Sequence, residues 1–200
     1  MTLLREIRQQ FPSVQVIIAG VIGPASDGYK TLQRSVPRPP WPTIASSRRA
    51  RGTRCRSSYA PTFPAVSELL GAARAMAETG CPYALAPLLH PDGTVLDGTR
   101  LAEAIRPIAA EISPVPSHYM IGYLYPTRLN SVAECAWVKS ERFPSSAQNL
   151  DQLNRLPWAD VRGWAPDEMT CAREFELTIL AGCCGMGERY IEALAKTAVN

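Results

Sequence analysis

The chain has 200 residues, of which 46% are apolar and 20% charged, a composition ordinary for a soluble globular domain. No apolar run reaches the about 18 residues of a membrane span, and the first residues, MTLLREIRQQFPS, lack the apolar stretch of a secretion signal. We therefore expect a cytoplasmic protein with no membrane partner. In that compartment the six cysteines are expected to bind metal, to take part in catalysis or to lie buried, because disulfide frameworks belong to secreted chains.

The net charge of +3 is unevenly distributed along the chain. Residues 28–67 contain one lysine and seven arginines but no Asp or Glu, so this window is about +8 and the rest about −5. Such basic blocks can bind nucleic acid. Here the arginines alternate with Pro, Ser and Trp without a helical or strand period, so nucleic acid is not the expected partner. We interpret residues 34–57 as an irregular basic segment, with disorder as an alternative.

Outside this window, short apolar runs alternate with helical patterns. In the first half of the chain they predict a strand over residues 14–22, a helix over 67–79, a strand over 83–89, a turn at 91–93 and a helix over 99–110 capped by Thr99. In the second half they predict a strand over 118–124, a shorter helix over 129–138, a helix over 167–176, a strand over 177–181 and a helix over 187–197. This alternation predicts an α/β fold with a parallel sheet, either an open doubly wound sheet or a β/α barrel.

In both architectures the active site lies at the carboxyl ends of the strands. The residues that fall at or just after such ends are Thr62, His90, Tyr123, Cys183 and Cys184. Their positions predict a shared site at one edge of the sheet.

Two adjacent cysteines, Cys183 and Cys184, stand between two glycines at the end of the last predicted strand. Neighbouring side chains on a regular strand face opposite sides, but flanking glycines let the backbone turn so that both sulfurs face one point. Zinc favours thiolates, and a catalytic zinc keeps one open position that can hold a substrate thiol as a nucleophilic thiolate. The pair therefore suggests a zinc site for methylation of a thiol. Buried small residues in a tight turn and a redox pair are the alternatives.

This turn and its flanks, LTILAGCCGMGERYIEALA, resemble the homocysteine S-methyltransferase family, which includes betaine–homocysteine and S-methylmethionine-dependent enzymes. Four more segments are similar to the family in order and spacing: AGVIGPASDGY, APTFPAVSELLGAARAMAETGCPYALAPLL, DGTVLDGTRLAEAI and HYMIGYLYPTRL. The resemblance implies one homocysteine-binding-type domain over residues 1–200, truncated at its amino terminus. Its fold would be an incomplete (β/α)8 TIM-type barrel with roughly strands three to eight present.

The resemblance also implies roles for single residues. Cys183 and Cys184 match two of the family's three zinc-binding cysteines, and Glu68 matches the glutamate that holds the amino group of homocysteine. A carboxylate suits an ammonium at ~3 Å, although from its position alone Glu68 could simply be a carboxylate favoured at a helix N-terminus. The implied cofactor is Zn²⁺, and the implied partners are homocysteine and a small methyl donor. The implied activity is methyl transfer to the zinc-activated thiolate of homocysteine, giving methionine.

The chain departs from the family pattern at four places. The first is its start, which stands where the family has already formed two strands. Tyr123 stands where the family has its third zinc cysteine, and a phenol of pKa ~10 is a poor zinc ligand. Residues 34–57 stand where the family has its third helix and the start of its fourth strand, which leads to the hypothesis that this stretch is translated out of frame. Residues 138–149 stand where the family has its seventh strand. These departures favour an alternative function, that of a degenerate, non-catalytic fragment of the family without a complete zinc site.

Overall fold

The computed structural model describes residues 2–13, 15–24, 57–90, 92–121, 138–142, 161–174, 177, 179–182 and 187–199. The helices in these ranges are α1 (Thr2–Gln10), α2 (Val66–Ala77), α3 (Leu101–Glu111), α4 (Val161–Glu174) and α5 (Glu188–Val199). The strands are β1 (Ala19–Val21), β2 (Ser57–Phe63), β3 (Tyr83–Pro87), β4 (His118–Ile121), β5 (Val138–Arg142) and β6 (Ala181–Gly182).

The six strands form one sheet in which each strand pairs with its neighbours in chain order. Every pairing is parallel, from Ala19 opposite Ser57 between β1 and β2 to Glu141 opposite Ala181 between β5 and β6. The predicted α/β class with a parallel sheet is therefore confirmed. Because the strands are parallel, their carboxyl ends all lie along one edge of the sheet.

Strand β3 is covered on both faces, as expected of a strand inside a parallel sheet. All five of its residues are buried. Tyr83 and Leu85 belong to the main hydrophobic cluster, whereas Ala84 and Ala86 belong to a second cluster. Successive side chains on a strand face opposite sides, so the sheet separates these two clusters. The second cluster also contains Met120 of β4, with Tyr59 of β2 and Ile179 packed against it.

Helices α2 and α3 cover the main-cluster side of the sheet with stripes of apolar residues at helical spacing. The buried positions are Leu69, Ala72, Ala73 and Met76 in α2, and Leu101, Ala104, Ile105 and Ile108 in α3. Helix α2 ends in a turn completed by Gly80, whose φ of +69° lies in the left-handed region that glycine adopts without cost. The helices predicted over residues 67–79 and 99–110 are confirmed to within two residues at each end.

Two details of the predicted helices are wrong. Thr99 does not cap α3, because the N-cap residue is Arg100 and no side chain supplies a cap bond there. Helix α4 starts at Val161, six residues before the predicted start, and runs through Pro166. A proline inside a helix removes one backbone hydrogen bond, but starting the helix early places Trp164 and Ala165 in buried positions.

The strands differ more from the prediction than the helices do. Among the described residues of the run over 14–22, only Ala19–Val21 form a strand, and in the described part of the run over 177–181 the strand starts at Ala181. The predicted strand over 118–124 is β4 up to Ile121, and residues 122–124 lie outside the described ranges. The helix predicted over 129–138 is wrong at its end, because Val138 begins β5; residues 129–137 are not described. Similarly, Ser57 begins β2, and the rest of the segment 34–57 lies outside the described ranges.

Candidate functional site

The corner between β2 and α2 lies at the carboxyl edge of the sheet and has an unusual backbone. Thr62, the penultimate residue of β2, has a φ of +61°. The pairing of β2 with β3 also shifts register between Ala60 and Phe63. A left-handed conformation in a β-branched residue costs about 1–3 kcal/mol and persists only where the surroundings impose it. Thr62 is one of the residues predicted at the site, and its strained backbone redirects the chain from β2 towards α2.

Glu68 lies in the first turn of α2, five residues after β2 ends, and its relative exposure is 0%. Its backbone N–H donates to the carbonyl of Ala65 over 3.1 Å. Burying a carboxylate is costly unless hydrogen bonds or charges compensate, so a fully buried glutamate at this edge is a specific feature of the chain. The positive end of the α2 dipole favours a negative charge in the same turn.

The loop from β3 to α3 passes over the same edge and contains two copies of the sequence Asp-Gly-Thr, at residues 92–94 and 97–99. Both glycines have positive φ, +84° at Gly93 and +86° at Gly98. In each copy the aspartate Oδ1 accepts the backbone N–H of the threonine two residues later, at 3.0 Å. The loop is therefore built from two similar turns closed by aspartate side chains.

In the first of these turns, the aspartate carboxylate accepts hydrogen bonds from within the same turn. Oδ1 of Asp92 accepts both the backbone N–H of Thr94 and its hydroxyl, the latter at 2.7 Å. These two donors lower the pKa of the Asp92 carboxyl below its ordinary value. His90, another residue predicted at the site, precedes this turn; its backbone N–H donates to the Thr94 carbonyl over 2.7 Å.

The second turn reaches across to helix α2. Oδ2 of Asp97 accepts the backbone N–H of Val66 at 2.7 Å, a contact between residues 31 apart in the sequence. Val66 is the first residue of α2, so its N–H has no partner within the helix. The sequence patterns did not single out Asp97. The repeated Asp-Gly-Thr was the available signal, but it carries no information about which of the two aspartates meets a distant helix.

The residues predicted to hold zinc lie outside the described ranges. These are Cys183 and Cys184; Tyr123, which replaces the family's third zinc cysteine, also lies outside them. Strand β6 ends at Gly182, immediately before the pair in sequence and at the same edge as the α2 corner. Among the described residues no group of three or more His, Cys, Asp or Glu is arranged to hold a metal ion. In the same part of the chain, no helix combines the length and apolar character needed to cross a membrane.

Comparison with known protein families supplies the decisive observation. A family model described as homocysteine S-methyltransferase matches residues 1–198. The chain belongs to the homocysteine S-methyltransferase family. No match among curated proteins was found. Membership of this methyltransferase family confirms the resemblance inferred from the cysteine turn, and it gives the Glu68 corner a functional context.

Proposed function

We propose that the protein transfers a methyl group from a small donor to the thiolate of homocysteine, giving methionine. The observation that carries the proposal is the placement of Glu68. The chain belongs to this family, and Glu68, which the sequence resemblance likens to the family's homocysteine-binding glutamate, is fully buried in the first turn of a helix at the carboxyl edge of a parallel sheet. Active sites of β/α folds lie at this edge.

The proposed scaffold is an incomplete β/α barrel formed by a single domain. Two features support it. The strands follow one another in chain order, without the reversal that defines a doubly wound sheet. In addition, Ile179, just before β6, packs against the cluster formed by Ala84, Ala86 and Met120. Strand β6 is three strands from β3, or roughly 14 Å in a flat sheet, so a shared cluster on this face favours a sheet that curves towards it.

Under this proposal Glu68 binds the ammonium group of homocysteine. A charge-assisted hydrogen bond inside a buried site is roughly twice as strong as a neutral one, and it fixes the orientation of the amino acid. Methyl transfer to sulfur is a displacement at carbon that needs little help from acids or bases. The main task of the protein is therefore to align the thiolate with the methyl donor, and a fixed ammonium contact contributes to that alignment.

Cys183 and Cys184 would hold the zinc ion. Thiolates are the donors that zinc favours, and the pair follows β6 at the edge that carries Glu68. When bound, zinc keeps a substrate thiol deprotonated at neutral pH. Two cysteines leave coordination positions for that thiol and for one further ligand. Because Tyr123 replaces the family's third cysteine, we expect weaker zinc binding than a three-cysteine site would give.

The test is a zinc measurement combined with a methyl-transfer assay. We expect the purified protein to hold about one zinc per chain and to form methionine from homocysteine with a sulfonium, quaternary ammonium or folate donor. The double variant C183S/C184S should lose both. Cys81→Ser is the control, because Cys81 is a partly exposed cysteine that lies far from this turn in sequence. Zinc retention in the double variant would contradict the assignment. A wild-type protein that neither holds zinc nor binds homocysteine would instead support the non-catalytic alternative.

A further inference from the structure

The two Asp-Gly-Thr turns use their carboxylates in different ways. The backbone N–H and the hydroxyl of Thr94 both donate to the same carboxylate oxygen of Asp92. Asp97 uses one oxygen for Thr99 within the turn and the other for Val66 in helix α2. Within the described part of the chain, only the second aspartate therefore joins two elements of the fold.

We propose that Asp97 is a positioning residue for Glu68. It fixes the N-terminus of α2 to the β3–α3 loop, so that the buried carboxylate two residues beyond Val66 is held in place for the ammonium of homocysteine. This inference depends on the proposed function, because it assigns Asp97 a part in binding the same substrate.

The local sequence of α2 explains why a distant carboxylate is needed. The N-cap residue is Ala65, whose methyl group cannot accept a hydrogen bond, and no side-chain cap bond is present there. Ser, Thr, Asp or Asn usually fills this position. Asp97 provides an acceptor for the first helical N–H from another loop, and its negative charge lies at the positive end of the helix dipole.

A second contact places the same loop against the end of β2. The N–H of Leu88 donates to the carbonyl of Phe63 over 2.9 Å, immediately after β3. The β3–α3 loop is therefore attached to the β2–α2 corner at both of its ends, through Leu88 at its start and Asp97 near its finish. The strained residue Thr62 lies beside the first attachment, and Glu68 follows the second.

Replacing each aspartate by asparagine separates the two roles. An asparagine has one acceptor oxygen, with two lone pairs, and its amide nitrogen only donates. Asp92→Asn can keep both contacts, because both use one oxygen. Asp97→Asn can keep only one of its two contacts, and the local turn to Thr99 is favoured because it lies within the same few residues. Of these two substitutions in the same sequence motif, only Asp97→Asn should therefore break a bond to α2.

The experiment measures homocysteine binding by titration calorimetry in the zinc-loaded wild type, D97N and D92N. Loss of a helix cap corresponds to roughly a fivefold change in an equilibrium constant, so we expect the Kd for homocysteine to rise about fivefold or more in D97N. D92N should stay within about twofold of the wild type. Equal affinities in D97N and D92N would overturn the inference while leaving the proposed function intact. Absence of homocysteine binding in the wild type would instead refute the proposed function, and the inference with it.

A double variant distinguishes positioning from simple stabilisation of the helix. Ala65→Ser added to D97N gives α2 a local cap but does not restore the link to the loop; the extended backbone at Ala65, with φ −142° and ψ 143°, suits a serine cap. We expect the double variant to regain the melting temperature lost in D97N but not the affinity for homocysteine. Recovery of both would show that Asp97 acts only as a cap, and the inference would then be wrong.

Discussion

Two regions of the molecule have hydrophobic cores that differ in size and in the residues that form them. The strand–helix core, residues 57–121, gathers side chains from β2, α2, β3, α3 and β4 into one cluster. The terminal helix pair, α4 and α5, has a separate cluster centred on Trp164 and Tyr190, whose ring centroids are 5.6 Å apart at an interplanar angle of 70°. Among the described residues the first cluster has many buried members, whereas the second has few, and its largest members are this edge-to-face aromatic pair.

Helix α4 links the two regions. Cys171 lies in the cluster of the strand–helix core, while Trp164 of the same helix lies in the cluster of the terminal helix pair. Strand β6, which leads to the proposed zinc cysteines, lies between α4 and α5 in the chain. The two halves of the proposed substrate site are therefore supported by regions with differently built cores. Glu68 belongs to the larger core, and the cysteine turn follows the smaller one.

The largest expected effect comes from Trp164→Ala, which tests whether the smaller cluster depends on the aromatic pair. Truncating a fully buried tryptophan costs about 3–5 kcal/mol, and the other buried members of this cluster are few. We expect amide hydrogen exchange to accelerate in α4 and α5 while α2 and β3 stay protected. The matched change in the larger region is Phe63→Ala, which should accelerate exchange in both regions. Uniform loss of protection in Trp164→Ala would show that the molecule has only one cooperative core.

Local patterns predicted most of the strand–helix core and helix α5 well, but they did not predict strands β2 and β5, for physical reasons. Helices α2 and α3 carry apolar stripes that appear directly as sequence periodicity, and β3 is an apolar run buried on both faces. Strand β5, in contrast, reads VKSER, and three charged residues in five hide any apolar pattern. Only the resemblance to the family placed a strand within residues 138–149.

The candidate site shows the same division between local and distant information. The placement of Glu68 in the first turn of a helix could be predicted, because the residues that determine it are its sequence neighbours. The bond from Asp97 to Val66 could not, since it joins positions 31 residues apart and depends on how two loops meet at the edge of the sheet. The left-handed backbone of Thr62 was equally hidden, because threonine does not favour that conformation in isolation.

An intermediate effect is expected from two buried glutamates, one in each region. Glu68 in α2 and Glu168 in α4 both have 0% relative exposure. Glu68→Gln keeps the shape of the side chain but removes the charge that would bind an ammonium, so we expect the Kd for homocysteine to rise roughly 10–100-fold. Glu168 lies in the other region, so Glu168→Gln should leave the Kd for homocysteine within about twofold of the wild type, whatever its effect on the free energy of unfolding. Titration calorimetry on both variants tests this. An equal rise in both Kd values would contradict the assignment of the ammonium site to Glu68.

The smallest expected effect concerns Tyr83, and it gives the strand–helix core a pH signature. The Tyr83 hydroxyl donates to the carbonyl of Pro114 over 2.8 Å, and burial raises its pKa to about 12. An unfolded tyrosine has a pKa near 10, so the native state binds this proton more tightly than the unfolded state does. The resulting stabilisation is complete below pH ~10 and is lost as the pH rises from about 10 to about 12.

Replacing Tyr83 by Phe should remove this part of the alkaline destabilisation and cost about 1 kcal/mol at neutral pH through the lost hydrogen bond. Urea denaturation of both proteins between pH 7 and pH 11 measures the difference. The gap in unfolding free energy should narrow as the pH rises, because the wild type loses a contribution that the variant never had. Some alkaline dependence will remain in the variant, since burial also raises the pKa of Tyr119. If the gap stayed constant over this range, the Tyr83 hydroxyl would have to ionise equally well in the folded and unfolded chains, which its burial in the strand–helix core argues against.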